Sequence, residues 1–262
     1  MSTYPRAIIA VSYAEAAREY LRRLPPEHFM EATDHAYQRK ITLESFDLIH
    51  VHRPDIQLFN ELLVQYPKVG QKKPGQVVPD NMVVICDKPI DADGSYDVPL
   101  QPVAPFCMLE YVSKNSRRKD YDDNFDKYEK ELKVPYYLLF YPDTQDLTLY
   151  HLVGDRYVSQ TPNEHGRYAI PELELEAELL DGWVRYWFRG ELLPLPAELL
   201  REVEAARRRL EQEKQRAEQE KQRADSLQQA LEQARQEQQA MERELEQLRA
   251  QLSQKRGNAP NS

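Results

Sequence analysis

The chain has 262 residues and a formal net charge of -9, all of it carried by residues 1–196, where 22 basic residues meet 31 acidic ones. Residues 197–256 are neutral, with 13 charges of each sign. This balance argues against a non-specific nucleic-acid binder held by bulk positive charge, though it leaves room for a local basic patch or a metal. The two cysteines, Cys86 and Cys107, lie in apolar strand-like segments without CxxC spacing, as expected of free buried thiols in a reducing compartment. No leader-like or membrane-length apolar run is evident, so a soluble cytoplasmic protein is expected.

In chain order, SYAEAAREYLRRL (12–24) predicts a short amphipathic helix beginning at Ser12 and closed by Pro25-Pro26. With the residues around it, it forms an expected helical extension over 1–40. ITLESFDLIHV is ambiguous between helix and strand. DIQLFNELLVQYP places Ile56, Phe59, Leu62 and Leu63 at helical spacing, with Asp55 at its start and Pro67 at its end. QVVPDNMVVI (76–85) and PFCMLEYV (105–112) predict strands, with a polar hairpin turn at Asp93-Gly94 in the loop between them. KDYDDNFDKYEKELK (119–133) predicts a helix with Phe125, Tyr128 and Leu132 on one face, followed by a buried strand, VPYYLLFYP. LTLYHLVGDRYVSQ predicts a hairpin turning at Gly154-Asp155. The order implies an α/β domain over 41–196, a mixed sheet flanked by helices.

Beyond Pro194 and Pro196, apolar or small residues recur at alternating spacings of three and four from Val203 to Leu252. This predicts a coiled coil over 197–256, ahead of a frayed tail at 257–262. Glu213, Glu220 and Gln238 fall on its core positions. A solvated single helix held by i,i+4 charge pairs is the competing reading.

Asp80 and Glu110 carry the strongest chemical signal. Each lies at the edge of an apolar strand, where a carboxylate is costly unless it is paired, hydrogen-bonded or bound to a metal. The basic run Lys114, Arg117, Arg118 and Lys119 follows directly. Together they suggest a metal site that handles phosphate. Arg117, Arg118 and Lys119 fit phosphate contacts and a solvated loop balancing Asp120, Asp122 and Asp123 equally well. The DADGSYD loop lacks the distal Glu of a calcium loop, and no phosphate-binding glycine motif is present.

FNELLVQYP, VVPDNMVV, PFCMLEYVSKNSRRKDYDDNFDKYEKELKVPYYLLFYPD and PNEHGRYAIPELELEAELLDGWVRYWFRGELLPLP carry a family likeness. Over about residues 27–196 the chain resembles the Uma-two family of putative restriction endonucleases, within the PD-(D/E)XK nuclease superfamily. The resemblance implies a restriction-endonuclease-like mixed sheet and hydrolysis of DNA with Mg²⁺ or Mn²⁺. It implies Asp80 as the acid of the PD motif and Glu110 as the acid of the next strand, both metal ligands. The superfamily's lysine position is Val112 here, and Ser113 matches the family's serine after it. The helical position to which the lysine moves in many members is Asn124. Lys127, one turn further on, is the favoured amine, with Lys114 the alternative. The expected assembly is a homodimer through the coil, acting on DNA. A catalytically inactive nuclease-fold module for nucleic-acid binding or scaffolding is the competing expectation.

Overall fold

The computed structural model describes residues 6–24, 33–112 and 123–257, with side chains described as far as 249. The chain divides into two compact units, 1–196 and 197–262. The first is mixed α/β. The described part of the second is one long helix.

Helix α1 (Arg6–Arg23) begins a turn and a half before Ser12. Helix α2 (Thr33–His52) absorbs ITLESFDLIHV and runs across position 40. Its apolar face, Ile41, Phe46 and Ile49, is buried.

The helix expected over 55–67 is instead two strands, β1 (Ile56–Asn60) and β2 (Leu63–Tyr66), joined at Glu61, whose φ is 45°. Asp55 therefore opens no helix; it is ion-paired with Arg53 at 2.7 Å. A short apolar run fits either period, and tertiary pairing decides. Every residue of β1 is matched antiparallel along the strand Asn81–Ile85.

The single strand expected over 76–85 is also two, β3 (Gly75–Val77) and β4 (Asn81–Ile85). Pro79 lacks the N–H needed to continue a ladder. The two halves enter different sheets, and Asp80 lies at the break.

A six-stranded central sheet has the order β1-β4-β6-β7-β8-β9, with β6 Cys107–Tyr111, β7 Tyr136–Tyr141, β8 Asp146–Val153 and β9 Arg156–Ser159. Only β6 and β7 pair in parallel, and the helix between them makes that crossover. β8 and β9 form the expected hairpin at Gly154-Asp155. Instead of a hairpin, Asp93-Gly94 is a bend leading into β5 (Ser95–Asp97), which runs parallel to β2 in a three-stranded sheet with β3. Strands β10 (Tyr168–Ile170), β11 (Leu175–Leu180), β12 (Trp183–Phe188) and β13 (Glu191–Leu192) make a four-stranded antiparallel sheet.

Side chains alternate across the central sheet. Val83, Cys107, Leu109, Tyr111, Leu138 and Phe140 face a core shared with α2 and the four-stranded sheet. Met82, Val84, Met108, Tyr137 and Leu139 face a second core, closed by the three-stranded sheet and Tyr128. Both faces being covered explains why these strands read as continuous apolar runs.

Helix α3 is described over 123–132 and widens to a π-helix at Lys127–Leu132. It ends at Lys133, in the left-handed region at φ 55°. The Tyr128 carbonyl accepts from both the Lys133 and Val134 amides. Residues 119–122 of the expected helix lie outside the described residues. Helix α4 (Pro196–Gly257) has 62 residues. Among the described residues no helix is long and apolar enough to cross a membrane.

Candidate active site

Strand register brings the two acids together. β4 and β6 pair Asn81 with Leu109, so the next rung sets Asp80 against Glu110. Their bonds are reciprocal. The Asp80 amide donates to Glu110 Oε2 at 3.3 Å, and the Tyr111 amide donates to Asp80 Oδ2 at 2.6 Å. Both carboxyls lie on the Met82–Met108 side of the sheet. The Glu110 residue is 9% exposed, whereas 20% of the Asp80 side chain remains open. The site is therefore approached past Asp80.

Burial pushes both carboxyls above their ordinary range. For Glu110 the Asp80 charge adds to burial, and the rise is large. For Asp80 the Tyr111 amide, His35 and Arg39 partly oppose it. In the metal-free protein both causes favour the protonated form of Glu110.

Helix α3 fixes the far side of Glu110. Tyr128 Oη donates to Glu110 Oε1 at 2.6 Å, and Asn124 Nδ2 lies 3.4 Å from the same oxygen. Asn124 Oδ1 in turn accepts from Lys127 Nζ at 3.4 Å. Asn124 thus stands between the carboxyl and the amine. Burial lowers the Lys127 amine from its ordinary value. A π-turn at such a position is a recurrent feature of functional sites. Here it begins at the residues that reach Glu110.

Val112 occupies the position two beyond Glu110 and faces the same side, but it packs into the second apolar core. No amine comes from there. Ser113, Lys114, Arg117, Arg118, Lys119 and Asp120 lie outside the described residues.

Helix α2 contributes side chains that sequence reading missed. Arg39 Nη2 bonds Glu61 Oε1 at 2.6 Å and lies 3.9 Å from Asp80 Oδ1. His35, one turn earlier, stands edge-on to the Tyr111 ring at 6.4 Å between centroids. Its Nε2 is buried and makes no hydrogen bond among the described residues. One signal was legible: His35, Gln38, Arg39 and Thr42 repeat at the spacing of a helix stripe, so one buried face of α2 is polar. Gln38 exchanges two hydrogen bonds with the Val184 backbone, at 3.0 and 2.8 Å, and thereby fixes that face against β12.

Among the described residues no group of three or more His, Cys, Asp and Glu is arranged to hold a metal ion. Two converging carboxylates still suit Mg²⁺, which keeps several waters and takes one or two carboxylates. They form an acidic, partly open pair of oxygen donors, with the half-buried Lys127 amine one side chain away.

The Uma2 family model, described as "Putative restriction endonuclease", matches residues 29–181. That is more than half of the chain, and the chain belongs to this family, whose class is nuclease. No curated protein matches. Among solved structures, the chain is similar to a putative nuclease belonging to DUF820 from Anabaena variabilis ATCC 29413. Identity is 16% over 55% of this chain and 75% of that one, with a TM-score of 0.42, too distant for any residue to be transferred.

Proposed function

We propose that residues 1–196 form a divalent-metal-dependent endonuclease that hydrolyses phosphodiester bonds of DNA. The observation that carries this reading is the convergence of Asp80 and Glu110 on one rung of the central sheet. These two carboxylates would hold Mg²⁺ or Mn²⁺. When bound, the ion lowers the pKa of a coordinated water and polarises a phosphate oxygen.

This chain's own residues supply the rest. Tyr128 and Asn124 hold Glu110 in one rotamer, so the site is built before substrate arrives. Glu110 must release its proton before it can serve as a ligand. Lys127 brings an amine to the same corner, where it offsets charge building on the phosphate. Arg39 holds the open side of Asp80, tethered by Glu61. Helix α4 is proposed to pair two copies of the chain.

Calorimetric titration of Mn²⁺ and Mg²⁺ tests the site. The wild type is expected to bind, and an Asp80→Ala, Glu110→Ala double variant is not. Equal binding by the two would remove the basis of the proposal. One observation favours a second reading, a nuclease fold kept for nucleic-acid binding or scaffolding: Asn124 and Val112 stand where the family resemblance expects a lysine. A wild type that binds Mn²⁺ and DNA but never nicks a plasmid would establish that reading.

A further inference from the structure

Helix α4 is a charged helix that carries an apolar seam. Every residue from 201 to 249 is exposed. Leu227, Leu231, Met241, Leu245 and Leu248 are each more than half exposed. The seam keeps strict heptads, with Val203, Leu210, Leu231 and Leu245 at a positions and Leu227, Met241 and Leu248 at d positions. A 3.5-residue period, interrupted at Glu213, Glu220 and Gln238, favours a left-handed supercoil with another helix.

We infer that the partner is α4 of a second copy, and that the two helices run antiparallel. This rests on the pairing proposed above and adds its direction. Two features of the sequence decide it. The first lies in the core. In a parallel, in-register pair Glu213 and Glu220, both at d, would each face their own copy. An antiparallel pair centred near residue 229 seats Leu227 on Leu231 and Leu210 on Leu248 of the second copy. It moves Glu213 opposite Leu245 and Glu220 opposite Gln238, so no like charges meet in the core.

The second feature is the flanking charge. In the parallel pair Arg209 faces Lys214, Arg216 faces Lys221 and Glu237 faces Glu242, against two opposite pairs, Glu202 with Arg207 and Glu244 with Arg249. In the antiparallel pair Arg216 faces Glu244, Arg223 faces Glu237 and Lys214 faces Glu242. Two like pairs remain, Lys221 with Arg235 and Arg207 with Arg249. The flanks are basic from Arg207 to Arg223 and acidic from Glu237 to Glu244, so these stretches complement each other in the reversed pair. At 1.5 Å per residue the two Pro196 ends stand about 100 Å apart.

The full chain carries the test, which reads mass and distance and is independent of cleavage. Sedimentation should give twice the 30.8 kDa chain mass; a monomer at tens of micromolar would overturn the inference. In a Cys86→Ser background, spin labels at Glu204→Cys should lie about 75 Å apart, and labels at Ser226→Cys on the order of 20 Å apart. A short Glu204 distance would mean a parallel coil. Arg216→Glu with Arg223→Glu should weaken the dimer at least about tenfold, as should Glu237→Arg with Glu244→Arg, and mixing the two variants should restore it. If the arginine variant dimerises more tightly than wild type, the direction is wrong.

Discussion

Glu110 and Tyr111 are neighbours on β6, equally deep, and they point to opposite faces of one sheet. On the Tyr111 face the hydroxyl network around Tyr111 is made of uncharged groups. Its hydroxyl lies 2.6 Å from Thr42 Oγ1 and donates to Asn81 Oδ1 at 2.7 Å, and Thr42 Oγ1 is 2.9 Å from Tyr186 Oη. On the Glu110 face two carboxyls are brought together, with a half-buried amine one side chain away. A closed neutral network costs little to bury and locks α2 onto the sheet. Two neighbouring buried carboxyls are costly to the fold, and perturbed groups of this kind cluster at functional sites. The contrast separates structural polarity from chemistry within a single strand.

The largest expected effect falls on the charged face. Plasmid nicking with Mg²⁺ or Mn²⁺ should fall by at least about a thousandfold in Asp80→Ala or Glu110→Ala, with the folded circular dichroism spectrum retained. An Asp80→Ala protein that cuts normally would erase the distinction between the faces. Lys127→Met should lower cleavage about a hundredfold while leaving the Mn²⁺ isotherm unchanged. If cleavage is unaffected, the working amine is another one, and Lys114→Met is the next variant to assay.

The acid pair also gives a pH signature. The folded-state pKa of each carboxyl is raised above its unfolded value, near 4. Above about pH 4 the metal-free fold therefore keeps protons on these carboxyls more readily than the unfolded chain does. This stabilising contribution is complete below about pH 4 and is lost as pH rises toward and through the folded pKa. Glu110→Gln removes the Glu110 share of the decline and leaves that of Asp80. At pH 7 it should stabilise the metal-free protein by about 1–3 kcal/mol in urea unfolding while abolishing Mn²⁺ binding. Destabilisation instead would show that Glu110 is already a contented structural acid.

How much of this was legible beforehand follows the same division. Asp80 and Glu110 stood out because a carboxylate inside an apolar strand has few inexpensive explanations. The β8–β9 hairpin was legible from Gly154-Asp155 between two alternating runs. The 55–67 segment was misread because its helical apolar spacing was overruled by pairing along β4, a contact that local pattern does not contain. Val78-Pro79-Asp80 hid a change of sheet inside one apparent strand. His35 and Arg39 escaped because they come from a helix expected to lie outside the nuclease domain, and only the docking of α2 brings them to Asp80. Lys127 was named from its place on a regular helix. The widened turn starting there, and Asn124 between it and Glu110, left no trace in the periodicity.

The smallest effect belongs to the neutral face. Tyr111→Phe removes one hydroxyl and keeps the ring against His35. Thr42 Oγ1 retains Tyr186 and the Gln38 carbonyl, the latter at 3.1 Å, whereas Asn81 Oδ1 loses its 2.7 Å donor in a fully buried site. An acceptor left unsatisfied there should cost about 1–3 kcal/mol, read as a lower urea midpoint with an unchanged slope. The Tyr111 amide, which holds Asp80 Oδ2, is untouched by the substitution. Nicking rate and Mn²⁺ affinity should therefore match wild type below the unfolding transition. A loss of cleavage larger than the loss of stability would mean that the neutral network positions Asp80 through Tyr111, and that the two faces of β6 act as one device.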